Sequence, residues 1–320
     1  MIMRHLLDAL FARKETTPLI MRKVDLGGPS DRVPVAVIRG RRPGTTMLVT
    51  GGVDGDEYAG IAAAYALIER FEDGDFSGTL VIVPVVNMPG FRAEMSQNPL
   101  DGKFPKYVFP GSSRGTPTER LMHWLVSEYA KGASAWLDLH SGAITEGLRP
   151  FLWAFETGVA AIDGTTRQFL RAAAPETAVL EAAAWHSKAA TLAGRDCLYA
   201  IAESGERGRV TQEDVDRHVG WTLALMGTLG MIEAAADAPH ASPTRLLRHV
   251  EMVYAPYEGV WRPDAAKSED VRKGVRLGTC ATLDGTARRE IFAPSGGTML
   301  WWKETMAMRP GDILAAIGRE

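Results

Sequence analysis

Apolar stretches in this 320-residue chain are short, and glycine, proline or polar breaks separate them at recurring distances. Val33 to Ile38 (VPVAVI) and Thr46 to Thr50 read as short buried strands. From Tyr58 to Phe71, Ile61, Tyr65, Ile68 and Phe71 repeat at the spacing of one helix face. Thr79 to Val86 (TLVIVPVV) is almost wholly apolar, as suits a central strand covered on both faces. Between Asn87 and Gly115 periodicity vanishes and glycine and proline accumulate, and a loop that long in a compact domain is usually functional.

Thr116-Pro117-Thr118-Glu119 has the form of a capping box with proline at the first helical position, predicting a helix to about Tyr129. Ala135 to Leu139 reads as a strand ending at His140-Ser141-Gly142. Phe151 to Phe155 and Leu198 to Ala202 are further strands, and Thr211 caps a long apolar helix to about Ala235. Strands alternating with helices predict an α/β fold, a mostly parallel mixed sheet flanked by helices. After Ala241-Ser242-Pro243 the pattern changes to strand-like pieces between turn signals about 8–12 residues apart, which predicts an all-β module. The expected domains are residues 1–243 and 244–320.

Composition narrows the partners. Hydrophobic residues at 46% and charged residues at 23% are ordinary for a globular protein, and a net charge of -3 offers no basic patch for nucleic acid. Cys197 and Cys280 form neither a CxxC pair nor a disulfide framework, which fits a reducing cytoplasm. The start, MIMRHLLDALFARKE, is too charged and its apolar patch too short for a signal peptide core. No run approaches the ~18 apolar residues of a membrane span. A cytoplasmic protein with a small-molecule partner, no nucleic acid and no membrane is expected, and a homo-oligomer is compatible with these properties.

Residues with chemical potential gather at predicted strand ends. In Met47 to Gly60, MLVTGGVDGDEYAG, an apolar run stops at paired glycines and is followed by Asp54, Asp56 and Glu57 at a helix entrance. Asp54 and Glu57 are three apart, so both carboxylates can face one point. By itself this spacing is common, and such residues often only cap a helix. Joined to His140 they supply the three ligands that a metal hydrolase needs, and Glu203 in AESGERG is a carboxylate able to manage the water's proton. Asp138, two residues before His140 on one strand face, is either an acceptor behind the imidazole or simply a polar strand-end residue. His123 reads as packing or surface; His186, on a loop-like stretch, is more often surface than pocket lining.

GGVDGDEYAG, VPVVNMPGF, PLDGKF followed by VFPG, TPTERLMH, LDLHSG and AESG resemble, in order, the motifs of the succinylglutamate desuccinylase/aspartoacylase family of zinc carboxypeptidase-like hydrolases. The resemblance runs from about Thr46 to Glu203. Further on, GVWRP, VRKGVRLGT, APSGGTMLWW and MRPGDILAAIG resemble a barrel-sandwich module, here read as structural because Lys303 lies in LWWKET rather than in a carrier's Met-Lys-Met hairpin. The family implies one zinc held by His and Glu in H-x-x-E and by a second His, with a later Glu as general acid/base. Glu57, His140 and Glu203 match those positions. Asp54 stands at the first His, Ser96 at a substrate-binding Arg, and Lys106-Tyr107 at an Asn-Arg pair.

The resemblance implies a zinc-dependent amidohydrolase that cleaves an N-acyl amino acid or related acyl-amine. Metal would bind the attacking water and Glu203 would move its proton; manganese or cobalt would also suit an O,O,N set. Two carboxylate ligands would cancel the ion's charge and leave a bound water titrating above ~7. Asn87, Arg92, Lys106 and Arg207, in or near site motifs, are the candidate substrate contacts. Without the two family arginines, N-acetylaspartate and succinylglutamate should be poor substrates. The alternative is a degenerate member that binds a ligand or partner without turnover.

Overall fold

The computed structural model describes residues 18–27, 30–193, 196–233, 243–264 and 270–320. The apolar start of the chain lies outside them, and the helix expected to reach about Ala235 stops at Thr228, because the chain turns at Gly230 with φ +68°. Eleven strands build the frame and its junction with the remainder: β1 (Leu19–Asp25), β2 (Ser30–Arg39), β3 (Arg42–Gly51), β4 (Ser77–Val83), β5 (Ala135–His140), β6 (Glu146–Leu148), β7 (Phe151–Glu156), β8 (Thr177–Ala182), β9 (Leu198–Glu203), β10 (Arg245–Leu247) and β11 (His249–Tyr254). Among the described residues six α-helices join them: α1 (Tyr58–Phe71), α2 (Met88–Arg92), α3 (Pro117–Leu125), α4 (Ala160–Ala173), α5 (Ser187–Ala193) and α6 (Gln212–Thr228).

Nine strands form one mixed sheet in the order β1-β2-β4-β3-β5-β9-β7-β8-β10. The pairs β1–β2, β2–β4 and β7–β9 are antiparallel and the others parallel. Side chains alternate across a strand, and the alternation divides the core in two. Met47, Val49, Leu137 and Leu139 pack under α1, α4 and α6. Leu48, Trp136, Tyr199 and Ile201 pack on the opposite face with α3 and α5. Each large apolar side chain buried this way contributes about 1.5–3 kcal/mol. Thr50, Asp138, His140 and Glu203 share the second face by the same parity.

Departures from the sequence pattern have local causes. The strand expected to reach Val86 ends at Val83, because Pro84 has no N–H for a ladder. The capping-box helix stops at Leu125 and continues as one π-helical turn, Val126–Ala130. β1 escapes the pattern because four consecutive residues, Ile20 to Lys23, are exposed on this edge strand. α4 escapes it because Gly164, Thr165 and Thr166 interrupt a helical reading.

In the C-terminal part, β11 pairs with Ile313–Arg319, which pairs with Gly297–Lys303 and through it with Asp270–Val271. A second sheet joins Arg288–Phe292, Arg276–Ala281, Gly259–Pro263 and Ala307–Met308. A third apolar cluster, with Trp261, Leu277, Met299 and Ile317, fills the space between them. Two strands link this part to the rest: β10, which leads into β11, pairs with β8 of the large sheet, and β6, between β5 and β7 in the chain, pairs with Gly297–Lys303. Among the described residues no helix is long and apolar enough to cross a membrane.

Candidate active site

β3 delivers its chain to the site through a turn at Gly52, whose φ of +58° only glycine adopts readily. Val53 to Asp56 then lead into α1, with Glu57 at its N-cap position. Gly60 lets α1 lie directly on β5: a Cβ there would come within 2.4 Å of the Leu139 carbonyl oxygen. That close approach sets Glu57 against the end of β5, where Glu57 Oε2 accepts from the Ser141 amide at 3.0 Å and lies 2.8 Å from His140 Nδ1. Asp56 turns away to Ser96 Oγ at 2.7 Å, so the residue at the missing arginine's position serves the loop.

Asp54, Glu57 and His140 each offer a ligand atom, all within 4.8 Å of one another, and all three residues are buried. Asp54 Oδ1 is buried with no hydrogen-bond partner, while Oδ2 accepts from Lys106 Nζ. Burial pushes the Asp54 carboxyl up to about 6, against the pull of Lys106. Burial also works against charge on Lys106 and His140. Asp54 outweighs it at Lys106, and Glu57 and Asp138 outweigh it at His140, holding both pKa values well above their ordinary levels. An orphaned carboxylate oxygen, a second carboxylate and an imidazole form a hard O,O,N set that fits a divalent ion.

Behind His140 is a saturated network that the sequence pattern does not reveal. Asp138 Oδ2 lies 3.4 Å from His140 Nε2 and accepts from Lys188 Nζ and Tyr199 OH, each at 2.9 Å. Its Oδ1 accepts from Thr50 Oγ1 at 2.6 Å, and Thr50 accepts from Trp136 Nε1 at 2.7 Å. Lys188 Nζ sits 4.8 Å from the ring centroids of both Trp136 and Tyr199. Burial alone would raise Asp138, but Lys188 and His140 hold it well below the usual carboxylate range. Lys188 and Tyr199 come from α5 and β9, about fifty and sixty residues away, and no local motif marks them.

Glu203 ends β9 directly across the ladder from His140. Among the described residues no side-chain hydrogen bond holds its carboxyl, which burial, with Glu57, pushes up to about 8. It faces a cavity of about 700 Å³ that Glu57, His140 and Lys106 also line. The wall opposite comes from β11 and its neighbours, including His249, Met252 and Trp301. His186 lines it too, with its ring centroid 4.6 Å from that of Phe155.

The other sequence candidates are placed differently. Asn87 is buried as the cap of α2, accepting from the Gly90 amide and donating to the Ser96 carbonyl. Arg92 forks onto Asp31 at 2.7 and 3.0 Å on the surface, and Arg207 is taken by Glu304 and Glu206. None of the three lines the cavity, since each is committed to a nearer partner. Among the described residues lining it there is no arginine; there are the carboxylates Glu146, Glu181 and Glu251, none of which the motifs single out.

Residues 43–228 match the model of the succinylglutamate desuccinylase/aspartoacylase catalytic domain. An N-alpha-acetyl-L-2,4-diaminobutyric acid deacetylase of Halomonas elongata is 38% identical over 119 residues, 37% of this chain; the match spans 34% of that relative's length. A succinylglutamate desuccinylase/aspartoacylase structure from Rhodobacter sphaeroides superposes with a TM-score of 0.81 at 25% identity, covering 94% of each chain. The product-bound ectoine utilization protein EutE of Ruegeria pomeroyi superposes at 0.80 with 22% identity, covering 96% of this chain and all of that one, and so shares the fold.

Proposed function

The chain belongs to the succinylglutamate desuccinylase/aspartoacylase family, and from that premise we propose that it is a metal-dependent amidohydrolase releasing the acyl group of an N-acyl amino acid. One observation carries this reading: three ligand atoms within 4.8 Å at strand ends, beside an uncommitted Glu203 that opens on a sizeable cavity. Asp54, Glu57 and His140 would hold the ion, zinc by preference, which supplies Lewis acidity toward the acyl carbonyl and the attacking water. Glu203 takes the water's proton and returns it to the leaving nitrogen. Asp138 orients the imidazole from behind, and Lys188 and Tyr199 hold Asp138 still.

The lining also favours one class of amine. Lys106 and Lys188 are engaged by Asp54 and Asp138, so no bidentate cation is left for a side-chain carboxylate. Of the lining carboxylates, Glu181 is taken by Trp153, His249 and the Val250 amide and Glu251 lies 3.6 Å from Arg319 Nε, so it is Glu146 that favours a neutral or amine-bearing side chain, as in the acetylated diamino acid for which the Halomonas relative is named. We retain residues 244–320 as a barrel-sandwich-like structural module, a division supported by its own apolar cluster. β10 extends the large sheet to Leu247 across that boundary. The replacement of a neutral ligand by Asp54 favours a second reading, a member that binds without turnover.

Elemental analysis and a kcat/KM panel test the proposal together. His140→Ala should lose most bound zinc and remain folded. The wild type should cleave N-acetyl-2,4-diaminobutyrate ahead of N-acetylaspartate and succinylglutamate. Undiminished zinc in the variant removes the ion assignment. A dicarboxylate ranking first removes the substrate assignment, and hydrolysis of none of the panel favours the binding-only reading.

A further inference from the structure

We propose that Lys106 is a built-in counter-charge to a carboxylate metal ligand: it claims Asp54 Oδ2, leaves Oδ1 for the ion, and sets both the affinity and the acidifying power of the site. The inference rests on the reading that Asp54, Glu57 and His140 hold a divalent cation. Asp54 has no exposed surface, so its two oxygens can be served only by groups placed there by the fold. Lys106 serves one, and among the described residues nothing serves the other. The ammonium is therefore a neighbour of the ion through a single shared carboxylate.

Charge counting gives the consequence. Asp54 and Glu57 carry one negative charge each, and a ligating imidazole is neutral. Alone, this set would cancel a divalent ion and blunt its pull on water. With Lys106 included, the set sums to one negative charge, and the ion keeps a net positive charge to act with. The site thereby gives up affinity in exchange for Lewis acidity, because like charges repel strongly in a buried, weakly screened place.

The sign of this effect separates it from mere positioning. A partner that only orients a ligand lowers metal affinity when removed, typically 10–100-fold. Removing a counter-charge raises it. The test uses full-length protein stripped with chelator and titrated with zinc against a chromophoric competitor, comparing wild type, Lys106→Met and Lys106→Arg. Lys106→Met should bind zinc at least about tenfold more tightly. Lys106→Arg, which keeps the charge, should stay within about threefold of wild type. The acidic limb of the kcat profile should move to higher pH in Lys106→Met and stay in place in Lys106→Arg. Circular dichroism confirms that each is folded, and Lys106→Gln substitutes for the Met variant if that one is not. Weaker or unchanged zinc binding in a folded neutral variant overturns the inference while leaving the ion site intact. A wild-type protein that binds no zinc overturns both.

Discussion

Two aspartate–lysine pairs lie on adjacent parallel strands of this sheet, Asp54–Lys106 beyond the end of β3 and Asp138–Lys188 on β5, and they differ in how many donors the buried carboxylate finds. Both aspartates are fully buried. Asp138 has donors on both oxygens: Thr50 on one, Lys188 and Tyr199 on the other. Asp54 has Lys106 on one oxygen and none on the other. The result is opposite behaviour, with Asp138 held well below the ordinary carboxylate range and Asp54 pushed up to about 6. Residue types do not distinguish a structural pair from a pair open to a ligand. Counting donors does, because a buried acceptor left unmatched is costly unless something arrives to match it.

The contrast breaks most visibly at Lys188. Lys188→Met would strand a buried carboxylate, and urea unfolding should show a loss of about 3–5 kcal/mol. Lys106→Met, in chelator-treated protein, should cost about 1 kcal/mol or less: the Lys106 side chain is 32% exposed, and Asp54 can take up a proton instead. Equal losses would erase the distinction between the two pairs.

Titration sharpens it next. The folded pKa of Asp54, about 6, lies above its ordinary 3.8, so the folded protein holds this proton more tightly than the unfolded chain. Its contribution is therefore full at low pH and is lost as pH rises from about 4 through 6, by about 3 kcal/mol at ~1.4 kcal/mol per unit. Asp138, displaced downward, contributes above its ordinary pKa and loses that contribution as pH falls toward its folded value. Unfolding curves of chelated wild type and Asp54→Asn, taken between pH 4 and 7, should diverge by that amount. A pH-independent difference would mean that Asp54 is no less satisfied than Asp138.

The smallest effect is expected where a cation is engaged outside both pairs. Arg92→Gln should change stability by no more than about 1 kcal/mol, since its pair with Asp31 is exposed, and should leave kcat/KM unaltered. A tenfold fall in kcat/KM would bring this guanidinium back into the substrate's path.

Local pattern was enough for some of this architecture. The helix Tyr58–Phe71 occupies the span that its apolar spacing predicts, and β5 and β9 end where AWLDLH and AIAE suggest. Asp54, Glu57, His140 and Glu203 were legible because the last two end strands and the first two follow one within a few residues, so the chain itself carries them to the sheet edge. Arg92, Arg207 and Asn87 were candidates by adjacency alone, and adjacency does not say which way a long or capping side chain turns. Asp31, Glu304 and the loop at Ser96 decide that.

The sequence alone determined the motif order, the ends of β5 and β9 to within a residue, and the parity that places Trp136, Asp138 and His140 on one face. The period of a strand is local and needs no partner. Tertiary structure alone decided that Lys188 and Tyr199 close on Asp138, that β11 walls the cavity, and that Lys106 reaches Asp54. Those contacts join residues tens to hundreds of positions apart, and only the packing of whole elements brings their charges within reach.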